Sequence, residues 1–170
     1  MRAFLLLAAL PLCACMTTLP GETLVLGSVS TNGAPRPAAQ SFDVPTNSVG
    51  SESFAVILNN ERGGVDVVPV IENALLNEAA QAHAEDMAEN NYLSHIALDG
   101  STPADRVLEV GYDYAFIAEN IAQGFVSEED VMEAWMNSPG HAANILDPRA
   151  ADFGLGLEDD TWVLLLGDER

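Results

Sequence analysis

Two apolar segments close this chain, "DFGLGLE" and "TWVLLLG", with only the acidic pair Asp159-Asp160 between them. A gap that short forces an antiparallel pair, so the chain must end in a sheet. The segments before it must then supply the layers that cover that sheet. "VIENALLNEAAQAHAEDMAENNY", residues 70–92, carries Leu76, Ala80, Ala84 and Met87 at helical spacing, with acidic residues 78, 85 and 89 off the stripe. Three shorter helices are predicted around it. "SFAVILNNERGG" is ended by Gly63-Gly64. One helix is opened by Thr102-Pro103 and closed by Gly111, and another is capped by Ser127, with Val131, Ala134 and Trp135 as its apolar face. "YAFIAENIA" reads as a strand or extended segment. This order predicts an α+β or layered α/β/α domain.

The first residues stand apart. Arg2, an apolar run from Ala3 to Leu12 and small residues before Cys15 form a secretory leader, too short to span a bilayer. Leu12-Cys13-Ala14-Cys15 resembles the lipobox in which the cysteine becomes lipidated. The expected organisation is a lipoprotein-type leader over 1–14, a Pro-, Gly- and Ser-rich tether over 15–52 and a folded domain over 53–170. In the tether only "TLVLG" suggests a short strand. The protein is then secreted across the inner membrane and held in the cell envelope by Cys15, or else released outside the cell. Membrane contact is expected through that anchor only.

Beyond Cys15 there is no cysteine, which excludes disulfides, thiolate metal sites and cysteine nucleophiles from the body. The 26 acidic residues face six basic ones, all arginine, for a net charge of −20. Such a chain repels phosphate backbones, so nucleic acid is excluded as a partner.

Four polar residues stand where a site is expected: His95, Glu119, Glu133 and His141. Glu119 lies in an apolar segment and must meet a cation, a metal or hydrogen-bond donors. Glu133 sits about 200° round its helix from Trp135. Ser138-Pro139-Gly140 ends that helix and presents His141. Imidazoles and carboxylates suit a divalent ion such as Zn²⁺, or a water held for acid–base work. His83 lies on the packing face of its helix and is read as structural.

The blocks "AAQAHAEDMAENNYLSH", "AENIAQG", "EAWMNSPGHAANIL" and "FGLGL" followed by "WVLLLG" together resemble the CAP superfamily, the SCP-like group of cysteine-rich secretory, antigen 5 and pathogenesis-related 1 proteins. The likeness spans about Leu58 to Gly167. It implies a three-layer α-β-α sandwich with a central antiparallel sheet and a cleft bearing two His and two Glu. Matched block by block, these are His95, Glu119, Glu133 and His141, with His95 and His141 as the metal ligands where relatives bind zinc. Ala118, Ala142, Leu164 and Leu166 depart from the bacterial pattern and are expected to make the cleft less polar. The resemblance implies a non-catalytic binding domain holding a divalent metal, possible zinc, and a lipid, sterol or glycan ligand. The alternative is a metal-dependent peptidase or esterase working through the same four residues.

Overall fold

The computed structural model describes residues 25–31 and 51–170. The leader, Cys15 and most of the tether lie outside the described residues. The elements are β1 (Val25–Thr31), α1 (Ser51–Gly63), β2 (Ile71–Glu72), α2 (Ala74–Asn90), α3 (Pro103–Glu109), β3 (Tyr114–Gln123), α4 (Glu128–Met136), α5 (Pro139–Ile145), β4 (Asp152–Glu158) and β5 (Thr161–Glu169). The strands form one sheet in the order β1-β3-β5-β4-β2. All neighbours are antiparallel except the two-residue β2, which runs parallel to β4. The expected hairpin is present, turning at Asp159 with φ 51°.

The alternation of β3 and β5 divides the core between two helical layers. Phe116, Ala118 and Ala122 with Leu164 and Leu166 point toward Phe54 and Leu58 of α1, Met132 and Trp135 of α4 and Ile145 of α5. The intervening Ile117, Ile121, Val163 and Leu165 meet Leu76, Ala80, Ala84 and Met87 of α2 and Val107 of α3. Period two in the sheet is thus matched to two apolar helix stripes, giving an α+β domain with a three-layer α-β-α arrangement. Leu164 and Leu166 are fully buried in the first cluster, so they fill the core rather than alter the polarity of a cleft.

The layer carrying α2 sits close because β4 offers no side chain in its path. A Cβ on Gly154 would lie 2.2 Å from the Leu76 carbonyl carbon, and one on Gly156 would lie 2.3 Å from that of Ala80. Glycine here serves backbone approach.

Three elements differ from the sequence expectation. The long helix begins at Ala74, not Val70, because the Asn73 side chain accepts from Leu75 N and Leu76 N and caps it, leaving Ile71 and Glu72 to join the sheet. Residues 25–31, inside the expected tether and extending the short strand suggested at "TLVLG", form an edge strand seven residues long against β3. The run from Pro139 is a helix of its own. Asn137 caps the end of α4, and Ser138-Pro139 then starts α5 with proline in its first turn, where a missing N–H costs nothing. His141 therefore stands on a helix of its own rather than just past the end of α4.

Candidate functional site

Glu119 stands in the middle of β3, wholly buried on the face that meets α2 and α3. Its carboxylate is fully engaged. Oε1 lies 2.7 Å from His95 Nδ1, and Oε2 accepts from Arg106 Nη2 at 2.6 Å. The cation that a buried carboxylate requires is thus Arg106, presented by α3.

That helix is well anchored. Thr102 and Asp105 form a capping box, with Thr102 Oγ1 accepting from Asp105 N at 3.2 Å and Asp105 Oδ2 accepting from Thr102 N at 3.0 Å. Arg106 Nη1 also donates to His95 O at 3.2 Å and Ser101 O at 3.1 Å, so one guanidinium ties the 95–101 loop to the strand that bears Glu119.

The pairing decides the tautomer of His95. A carboxylate only accepts, so Nδ1 carries a proton, and in the neutral ring Nε2 keeps its lone pair. Nε2 is buried and has no hydrogen-bond partner among the described residues. A histidine oriented through Nδ1 by a carboxylate, with Nε2 free to bind, is how imidazole ligands are commonly held.

His141 is buried on α5, across the backbone of β3. Its carbonyl accepts from Asn120 Nδ2 at 3.2 Å, and Asn144 Nδ2 donates to Asn120 Oδ1 at 2.8 Å and to Glu119 O at 3.2 Å. Residues adjacent on β3 therefore reach in opposite directions: Glu119 to His95, and Asn120 to the helix that carries His141. Asn120 thus helps to hold the helix that carries His141.

Glu133 is not part of this arrangement. It is exposed on α4, opposite the buried Trp135, as its 200° offset requires. It lines an open groove of about 440 Å³ between Gly124–Val126, Asp130 of α4 and the α4 cap Asn137, to which His95, Glu119 and His141 do not contribute. Among the described residues no group of three or more His, Cys, Asp and Glu is gathered to hold a metal ion.

Arg106 and Asn144 were missed in the sequence. The signal for Arg106 was present: a carboxylate in an apolar strand needs a cation, and Arg106 is one of only six basic residues.

His83 is buried on α2 as expected. Its Nε2 donates to Ser94 O at 2.9 Å and its ring meets Tyr92 edge-on, with centroids 6.3 Å apart. Burial lowers its pKa, opposed by the Glu119 charge. The unfolded chain therefore binds a proton that the native state refuses. Stability is complete above the unfolded value of about 6.5 and falls as pH drops below it, by up to about 1.4 kcal/mol per pH unit. Urea unfolding at pH 7.5, 6.5 and 5.5 should show a shallower decline for His83→Gln than for the native chain; parallel profiles would contradict the assignment.

Comparison with known proteins adds three findings. The model of the cysteine-rich secretory protein family, CAP, matches residues 57–163. The uncharacterized protein YkwD of Bacillus subtilis is 36% identical over 100 residues, which cover 59% of this chain and 39% of YkwD. The uncharacterized membrane protein YlbC of the same organism is 37% identical over 81 residues, covering 48% of this chain and 23% of YlbC. The chain thus matches well under half the length of these curated relatives. An extracellular SCP-domain protein of Bacillus anthracis superposes with TM-score 0.68 at 24% identity, covering 69% of this chain and 40% of that one. An outer surface protein of Borrelia burgdorferi superposes with TM-score 0.66 at 22% identity, covering 71% and 92%. At these identities the likeness concerns the fold.

Proposed function

The chain belongs to the CAP family of cysteine-rich secretory proteins, and from that premise we propose that it is a non-catalytic binding domain of the cell exterior or envelope. Its His95 imidazole serves as a ligand for a divalent metal, with zinc the best match to a nitrogen donor. The observation that carries this reading is the buried Nε2 of His95, held by Glu119 through Nδ1 and without a partner among the described residues. Ile96, Leu98 and Leu108, which are 48%, 67% and 49% exposed, lie on the loop bearing His95 and on α3 and favour a ligand with an apolar part, such as a lipid or sterol, over a glycan. An exterior location draws support from the extracellular and outer-surface proteins that share the fold. No helix among the described residues is long and apolar enough to cross a membrane, and anchoring through Cys15 remains part of the proposal.

The hydrolase reading needs a carboxylate free to act as base. Both oxygens of Glu119 are engaged by His95 and Arg106, and Glu133 opens to a different groove. The geometry favours binding over turnover.

Calorimetric titration with zinc chloride tests the reading. Saturable binding is expected at pH 7.5. His95→Ala should abolish it, and Glu119→Gln should weaken it about 10- to 100-fold by releasing the ring. Equal heats for the native chain and His95→Ala would refute the metal site.

A further inference from the structure

We propose that the outer edge of β3 is a docking site for an extended, uncharged polypeptide segment, and that β1 is its exchangeable occupant in cis. β1 lies outside the span that matches the family, residues 57–163, whereas β3, β5, β4 and β2 lie within or reach into it. Without β1, β3 is the outermost strand of the sheet and would present a row of unpaired backbone N–H and C=O groups. β1 covers that row through seven registered antiparallel pairs, from Val25↔Ala122 to Thr31↔Phe116.

The register sets the strand across the candidate site. Ser28 stands opposite Glu119 and Gly27 opposite Asn120, the two residues that reach His95 and the His141 helix. α5 runs alongside β1 as well as β3, so a strand in this position closes the gap between that helix and the sheet. The edge is long enough to recognise a peptide by main-chain hydrogen bonds. The occupant's chemistry is written in "VLGSVST", which carries no charge; an acidic segment would be repelled by a chain of net charge −20.

Tethering raises the effective concentration of β1 to the order of millimolar. The native edge is therefore mostly closed to competitors, and disrupting β1 opens it. Ser28→Pro with Val29→Pro in the full chain removes one ladder donor whichever of the two residues faces β3.

Fluorescence anisotropy with a labelled synthetic peptide of residues 23–33 should show saturable binding to this variant. Binding to the native chain should be at least about tenfold weaker, because β1 competes in cis. A variant that retains native helical dichroism yet fails to bind at about 1 mM peptide overturns the proposal. So does equal binding to variant and native chain, or equal binding of a peptide bearing the same two prolines. Hydrogen exchange on the native chain provides the reading should the variant not fold. Amides of β3 directed at β1 should exchange at least about tenfold faster than those directed at β5; equal protection overturns exchangeability. Neither measurement involves zinc, so failure here leaves the metal site untouched, and failure there leaves this edge untouched.

Discussion

Replacing Arg106 with methionine is expected to destabilise the domain by about 3–5 kcal/mol, a large share of the roughly 5–15 kcal/mol that holds a typical domain together. The side chain is 9% exposed and the carboxylate it neutralises is wholly buried. Removing the cation leaves Glu119 charged in a low-dielectric site with only the His95 N–H for company. It also frees the 95–101 loop, since the donors to His95 O and Ser101 O go with it. Thermal unfolding should fall by roughly 10–20 °C. Adding Glu119→Leu should recover part of the loss, because an absent ion pair costs less than half of one. Strictly additive losses in the double variant would show that the two side chains do not depend on each other.

Arg62→Leu should be comparably severe, for a different reason. Arg62 is fully buried at the end of α1, and among the described residues no carboxylate pairs with it in contact. Its guanidinium serves carbonyls instead: Nε to Val68 O at 2.8 Å, Nη1 to Ile145 O at 2.6 Å and Asp147 O at 3.1 Å, and Nη2 to Ala150 O at 3.2 Å. Burial lowers its pKa, and the charge of Asp147 opposes that. Leucine fills the space but strands these acceptors, at about 1–3 kcal/mol each before relaxation, so a net loss of about 4 kcal/mol is expected in urea unfolding. Arg62→Lys keeps the charge but not the planar fork, and should recover only a fraction. Full stability in Arg62→Leu would mean that the Ile145–Ala150 segment is held by other contacts.

Much of the architecture was legible in the chain. The acidic turn at Asp159-Asp160, the Thr102-Pro103 and Ser127 starts and the stripe on α2 are local features, and local features predict elements well. What escaped was decided by contacts distant in sequence. "TLVLG" suggested a short strand, but its extent over Val25–Thr31 is set only by the edge of β3. Ser138-Pro139 is as good a helix start as a helix stop, and α5 shows which applies, with Asn120 and Asn144 binding it to β3.

The same distinction holds within the site. A carboxylate in "FIAENIA" announced that Glu119 is buried and needs partners, and His95 proved to be one of them. Glu133 was grouped with it from the residues themselves, and its 200° offset from Trp135 left its burial undecided; in the structure it faces solvent on α4. The expected gathering of four residues reduces to a His95–Glu119–Arg106 cluster on one face of the sheet and His141 on the helix beyond it.

The most direct test of that cluster is the protonation state of the His95 ring, read from long-range ¹H–¹⁵N correlations at pH 7.5. A proton on Nδ1 and a bare Nε2 whose resonance moves on adding zinc would bear out a ring held by Glu119 for ligation. A proton on Nε2, with no response of either nitrogen to zinc, would contradict it.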